Sequence, residues 1–184
     1  MNSNIASDSS EGGYLRSWLG SMKGGHAKAP GVPSPRHILL TWLGGCFAIA
    51  VLAYITKISG YPLMLGSFGA SCVLIFGFPE SPFSQPRNVV GGHFLSSLTG
   101  LVFITFLGVH WWAMALALAT AIVVMQVTRT VHPPAGSNPI IIMLAHATWP
   151  FLLTPTLFGV LILLASALIF HGAVKGRHYP QYWL

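Results

Sequence analysis

Acidic residues are nearly absent. Three occur in 184 residues, Asp8, Glu11 and Glu80, and charged residues of both signs make up 7% of the chain, against about 25% in a soluble domain. That scarcity excludes a free-standing soluble domain and places the chain in a bilayer as one membrane domain. No acid lies within an apolar run, so a carboxylate cation site and a proton relay built on Asp or Glu are excluded. Cysteine is scarce too. Cys46 and Cys72 sit in apolar runs and read as small buried hydrophobes rather than a disulfide or a metal site. HExxH, GxSxG and an intramembrane carboxylate pair are all missing, so neither an enzyme nor a cofactor is expected. Nine Lys and Arg give a net charge of +6, but they are scattered singly at the ends of apolar runs. That pattern fits membrane anchoring, not nucleic-acid binding.

What is present is apolar length: 53% of the residues are hydrophobic. A spanning helix needs about 20 of them in a row. Ile38–Ile55, Val89–Val109, Trp111–Val127 and Thr156–His171 meet that need. Tyr61–Phe78 and Val131–Trp149 are long enough only if part of each is not helical. Residues 1–36 form a polar tail with no apolar signal-peptide core, and its acids argue against a transit peptide. Within it Leu15, Trp18, Leu19 and Met22 fall at i, i+3, i+4 and i+7, the pattern of an interfacial amphipathic helix that Ser9 or Ser10 would cap. "KAPGVPSPRH" (28–37) then links into a membrane domain over 37–172, followed by a second tail at 173–184.

The membrane domain reads as two repeats, 37–109 and 110–172. "AIAVLAYITK" (48–57) is similar to "ATAIVVMQVTR" (119–129), and "SFGASCVLIF" (67–76) aligns with "PPAGSNPIII" (133–142), Ser71 matching Ser137 66 residues later. Each unit is a helix, a basic residue, a breaker-rich segment, a short apolar helix, a Pro-rich connection and a helix. Three crossings per unit invert one repeat relative to the other. The expected fold is therefore all-α, with four full spans and two broken ones. Six crossings place Arg16, Lys23, Lys28, Arg36, Arg87, Arg129, Lys175 and Arg177 inside and Lys57 alone outside, a split of 8 to 1; four crossings give 6 to 3. The positive-inside rule favours six. Both topologies put both termini in the cytoplasm, and a bacterial plasma membrane is the expected location.

The strongest breakers, "HPPAGSN" at 132–138, stand in mid-membrane. Irregular backbone survives there only against protein or a wet cavity. An extended path over Arg129–Gly136, forced by Pro133 and Pro134, would deliver a half-helix, Pro139–Thr148, capped by Ser137 or Asn138. In the first repeat "GSFGAS" would deliver the half-helix Cys72–Phe78. Two facing half-helix N-termini would make an anion site from unpaired amides at Gly69, Ala70, Ser71 and Cys72 and at Ala135, Gly136, Ser137 and Asn138. Arg87 and Arg129 would attract anions to a cytoplasmic vestibule or contact lipid headgroups, with Asn88, Pro133 and Pro134 along the pathway. His132 would donate to the anion, carry a proton, or bond a helix end. His93 lines a pore or is a satisfied interhelical histidine.

The segments "GSFGASCVLIFG" (66–77), "QPRNVVGGH" (85–93) and "TRTVHPPAGSNP" (128–139) resemble, in order, the pattern of the HPP family of small integral membrane proteins. The likeness covers about 38–172. Members are commonly described with four transmembrane segments, and some plant and cyanobacterial members are linked to nitrite transport. The resemblance thus implies a small anion such as nitrite. Gly136-Ser137-Asn138-Pro139 departs from the family's "AGAT"-like run, which bears on substrate choice. A channel for small neutral solutes and a non-transporting sensor or scaffold subunit are the rival readings. Protons are a possible co-substrate, and the small size suggests a homo-oligomer.

Overall fold

Proline and glycine punctuate this chain, and several of its helices start or stop on one. The computed structural model describes residues 8–23 and 27–184. Among them are seven α-helices and no strand: α1 (Asp8–Ser21), α2 (Pro35–Ser59), α3 (Gly66–Gly77), α4 (Pro86–Leu107), α5 (Trp111–Val127), α6 (Asn138–Leu144) and α7 (Phe158–Ala173). Residues 1–33 form one unit and 34–184 another.

In the first unit, Leu15, Trp18 and Leu19 on α1 and Met22 in the turn after it are between 47% and 63% exposed. The helix already contains Ser9 and Ser10, so neither occupies the expected cap position.

In the second unit, α2 starts with Ser34 Oγ accepting from the His37 amide and Pro35 in the first turn, and it stops at Gly60 with φ +72°. Both devices match the usual asymmetry of helix ends. Three helices are long and apolar enough to cross a membrane: Pro35–Ser59, Pro86–Leu107 and the run Trp149–Ala173 that ends in α7. The 17-residue α5 spans about 26 Å at 1.5 Å per residue, at the short limit for a crossing. Ile38, Trp42, Tyr54, Trp111, Leu116, Val123, Phe158 and Ile169 are exposed along these helices. This is the apolar exterior of an integral membrane protein. Cys46 also lies on the exposed side, contrary to its expected burial, while Cys72 is buried.

Both short helices differ from expectation. α3 begins at Gly66, six residues before the expected start, so Ser71 lies mid-helix and only Tyr61–Leu65 is non-helical. The amides of Gly69–Cys72 are therefore not a helix tip. In water "GSFGAS" would weaken a helix; in lipid an unpaired backbone costs several kcal/mol, so the helix forms, and Ser71 Oγ approaches the Ser67 carbonyl at 3.2 Å. Before the second short helix the expected extended run, Arg129–Gly136, is shorter. Pro133–Ser137 forms a 3₁₀ turn leading into α6, because the φ that proline fixes suits a helical turn as well as an extended strand. α6 stops at Leu144, not Thr148. His146 adopts φ +47°, and Trp149-Pro150 disfavours continuation through the preceding residue.

The core has two parts. Ala48, Leu52, Phe68, Ile75, Phe76, Val160, Leu163 and Ala167 join α2, α3 and α7, while Ala113, Ala117 and Met143 join α5 and α6. α4 lies against both. Its glycines set the approach: a methyl on Gly91 would sit 2.8 Å from Thr130 Cγ2, on Gly92 2.7 Å from His132 Cβ, and on Gly100 2.8 Å from Pro139 Cα. The 130–139 segment thus lies flush along α4, which is close small-residue packing.

Candidate functional site

The breaker segment is pinned to α4 by side chains at its start. Arg87 Nη2 donates to the Thr128 carbonyl at 3.0 Å, satisfying the end of α5, and Asn88 Nδ2 donates to the Val131 carbonyl at 2.8 Å. Ser96 Oγ donates to the Ala135 carbonyl at 2.6 Å. These contacts hold His132 at a fixed depth against Gly92.

From His132 a string of buried side chains runs through the core. His132 Nδ1 lies 2.7 Å from the Phe83 carbonyl, and His132 Nε2 lies 2.8 Å from Ser71 Oγ. Ser71 Oγ lies 2.9 Å from His93 Nε2. His93 Nδ1 lies 3.1 Å from Asn138 Nδ2, which also donates to Ser97 Oγ at 2.9 Å, and Thr156 Oγ1 donates to the same Ser97 at 3.0 Å. Ser71, His93, Ser97, His132, Asn138 and Thr156 are all fully buried.

The donor order follows from the partners. A carbonyl accepts only, so His132 Nδ1 carries a hydrogen and, in the neutral ring, Nε2 accepts. Ser71 therefore gives its one hydroxyl hydrogen to His132. His93 Nε2 must then donate to Ser71, which leaves His93 Nδ1 to accept from Asn138. Every link is satisfied in one direction, and two buried polar atoms beside it are not: Asn138 Oδ1 and Ser67 Oγ, one helical turn from Ser71, have no partner.

The string is also a seam. Ser71 on α3 and Thr156, two residues before α7, come from one side. His93 and Ser97 on α4 with His132 and Asn138 come from the other. Phe68 of α3 closes the seam with its ring edge-on to His93, centroids 5.1 Å apart.

One end of the bundle is basic. Arg36 donates to the Lys175 carbonyl, Arg177 to the Phe76 carbonyl at the end of α3, and Arg87 and Arg129 flank the end of α5. Burial pushes the Arg177 guanidinium down from its ordinary value against the opposing charge of Glu80. The tail at this end folds back onto the turn that holds Phe83: Tyr179 Oη donates to the Ser84 carbonyl at 2.9 Å, and the Gln181 amide donates to Gln85 Oε1 at 2.7 Å. Burial raises the Tyr179 phenol well above its usual value. At the opposite end, near Lys57, an open and largely apolar cleft of about 510 Å³ is lined by Ser59, Tyr61, Leu63, Pro150, Leu153 and Thr154.

Of the residues singled out from the sequence, Ser71, His93, His132 and Asn138 meet. Asn138 does so through its side chain rather than its amide. Arg87, Asn88 and Ala135 brace them, and Pro134 is buried beside them. Gly69 and Ala70 face outward, and Arg129 and Pro133 are exposed. Ser137 bonds within its own turn, to the Pro134 carbonyl at 2.9 Å, and Gly136 is half-buried beside it. Cys72 packs in the apolar core. Ser96, Ser97, Thr156 and the Phe83 carbonyl were not anticipated. The spacing of His93, Ser96, Ser97 and Gly100 on one helical face was the available signal for two of them.

Residues 30–180 match the family described as HPP, transmembrane region. Two curated proteins of Dictyostelium discoideum, each described as a transmembrane protein, are 38% and 37% identical over 182 residues. Each alignment covers 92% of this chain, and the chain spans 63% and 57% of the relatives' own lengths. No solved structure matches the chain significantly.

Proposed function

The chain belongs to the HPP transmembrane family, and from that premise we propose that it transports a small inorganic anion, with nitrite the first candidate, across the membrane. The observation that carries this reading is the buried string in which Ser71 bridges His93 and His132. Buried polar side chains in a membrane are expensive and are functional by default. This string is built of N–H and O–H groups with no carboxylate, so no fixed negative charge in it opposes an anion. Basic residues at one end of the bundle would gather anions there, and the cleft near Thr154 would admit them at the other. The relatives come from a eukaryote, so they lend no support to a bacterial membrane.

The architecture we propose is six crossings in two inverted repeats with both termini cytoplasmic. Its support is arithmetic. The 12-residue α3 is about 18 Å long, and the five non-helical residues before it can add up to about 16 Å, together enough for the ~30 Å of a hydrocarbon core. Five of the nine basic residues cluster at one end, and Lys57 sits at the far end of α2. The anion would be met by side chains along the seam rather than by two facing amide tips.

The test is nitrite flux into proteoliposomes at mildly alkaline pH, with empty liposomes subtracting nitrous acid leakage. Ser71→Ala and His132→Ala should lower flux at least tenfold while the solubilised protein keeps its helical content. Equal flux of urea and nitrite would favour a neutral-solute channel. Absent flux with a co-purifying partner would favour a sensor or scaffold subunit.

A further inference from the structure

The donor order of the string leaves one partner free to turn. One end is anchored, because the Phe83 carbonyl can only accept. The other end is the Asn138 amide, whose Nδ2 faces His93 and whose Oδ1 has no partner. An added proton has two possible seats, His93 Nδ1 and His132 Nε2. If it forms an N–H bond at His93 Nδ1, that atom becomes a donor and needs an acceptor. If it forms one at His132 Nε2, Ser71 Oγ accepts from both imidazoles and turns its hydrogen to the Ser67 carbonyl 3.2 Å away, and Asn138 stays as it is. The seat at His93 Nδ1 is thus the one that reaches the amide, and it ends with Asn138 Oδ1 facing His93 and Asn138 Nδ2 swung into the place that Oδ1 vacated. Ser97, which has its own hydroxyl hydrogen, can donate to Oδ1 in the turned state.

Resting on the anion-transport reading above, we propose that the Asn138 amide couples the anion to a proton, so that the two cross together as an electroneutral pair. In the neutral string the unpartnered Oδ1 would repel an anion brought against it. In the protonated string an anion in that position would meet an N–H donor with an imidazolium behind it. The only group that can balance that charge in the string is the anion itself. The proton comes from bulk water on one side and returns to it on the other, with no bond of the cargo changed. The titratable or charged groups on the packed elements are Arg36, His37, Cys46, Tyr54 and Lys57 on α2, Cys72 on α3, Arg87 on α4, Glu80 in the turn before it, Arg129 after α5 and His171 on α7. None of them hydrogen-bonds to the string, and His37 and His171 bond the Gly77 and Ile75 carbonyls instead.

The experiment uses the full chain in proteoliposomes with nitrite as the probe, and valinomycin potentials of either sign at equal pH on both sides. Net uptake should be unchanged by the potential and should rise severalfold when the outside is made more acidic. In detergent, nitrite binding should take up about one proton per anion. Accumulation that follows the potential, about fiftyfold per 100 mV for a lone monovalent ion, would overturn the coupling and leave the transport reading standing. Binding without proton uptake would do the same, and no flux at all would overturn both.

Discussion

Gly92→Ala is a demanding test of how the site is held. The added methyl would stand 2.7 Å from His132 Cβ and 2.9 Å from the Thr130 carbonyl oxygen, where ordinary contact begins at 3.4 Å. The 130–132 backbone is tied to α4 by Asn88, so relief requires a shift of about 0.7 Å, the difference between the first and last of these distances. His132 makes bonds of 2.7 and 2.8 Å, and such a shift stretches them to about 3.5 Å, beyond useful geometry. Overpacking costs about 1–3 kcal/mol, and two weakened hydrogen bonds add about 1 kcal/mol each. The expected loss is therefore about 3–5 kcal/mol. Gly45→Ala is the matched control, since nothing lies within 4 Å of a methyl there and the helix gains up to about 1 kcal/mol from alanine. Equilibrium unfolding in mixed micelles reports both, and nitrite flux should fall with the first alone. If the two variants are equally stable, α4 and the 130–139 segment are not in the contact described.

Asn138→Asp should abolish nitrite uptake, by at least about tenfold, because a carboxylate beside His93 takes the place of the anion's charge; retained uptake in a folded variant refutes the amide's role. Ser97→Ala should cost about 1–3 kcal/mol, since Thr156 and Asn138 both lose their shared acceptor, and thermal unfolding of the solubilised protein checks it. Tyr179→Phe should loosen the tail, read as faster trypsin cleavage at Lys175 and Arg177. The same loosening should come with alkali. The folded phenol titrates above its unfolded value of about 10, so its contribution is whole below that pH and is lost as pH climbs toward the folded value. Cleavage that is insensitive to pH across that range would contradict the docked phenol.

The long elements were legible because length and hydropathy alone decide them: α2 and α4 fall where the apolar runs fall, and α7 is displaced by two residues. The start of α3 was not. Gly66, Ser67, Gly69 and Ser71 count as breakers on scales set in water, whereas hydrocarbon removes the solvent that would reward breaking. Ser71, His93, His132 and Asn138 were each visible as unusual residues, yet their meeting was not. The bonds join positions 22 to 61 residues apart, and nothing local encodes that register. Asn138 drew notice for its amide at a helix start, while its side chain proved to be the part that faces His93. Thr156 carries no sequence signal at all.

The two sides of the seam are fastened at two separate places. Toward the basic end, Ser71 grips both imidazoles; toward the cleft, Thr156 grips Ser97. If the chain carries an anion as proposed, parting the first pair of contacts would admit water from below while the second still holds, and parting the second would do the reverse. A molecule latched twice along one interface can be unfastened from either face in turn, without a moment at which it stands open through its whole thickness.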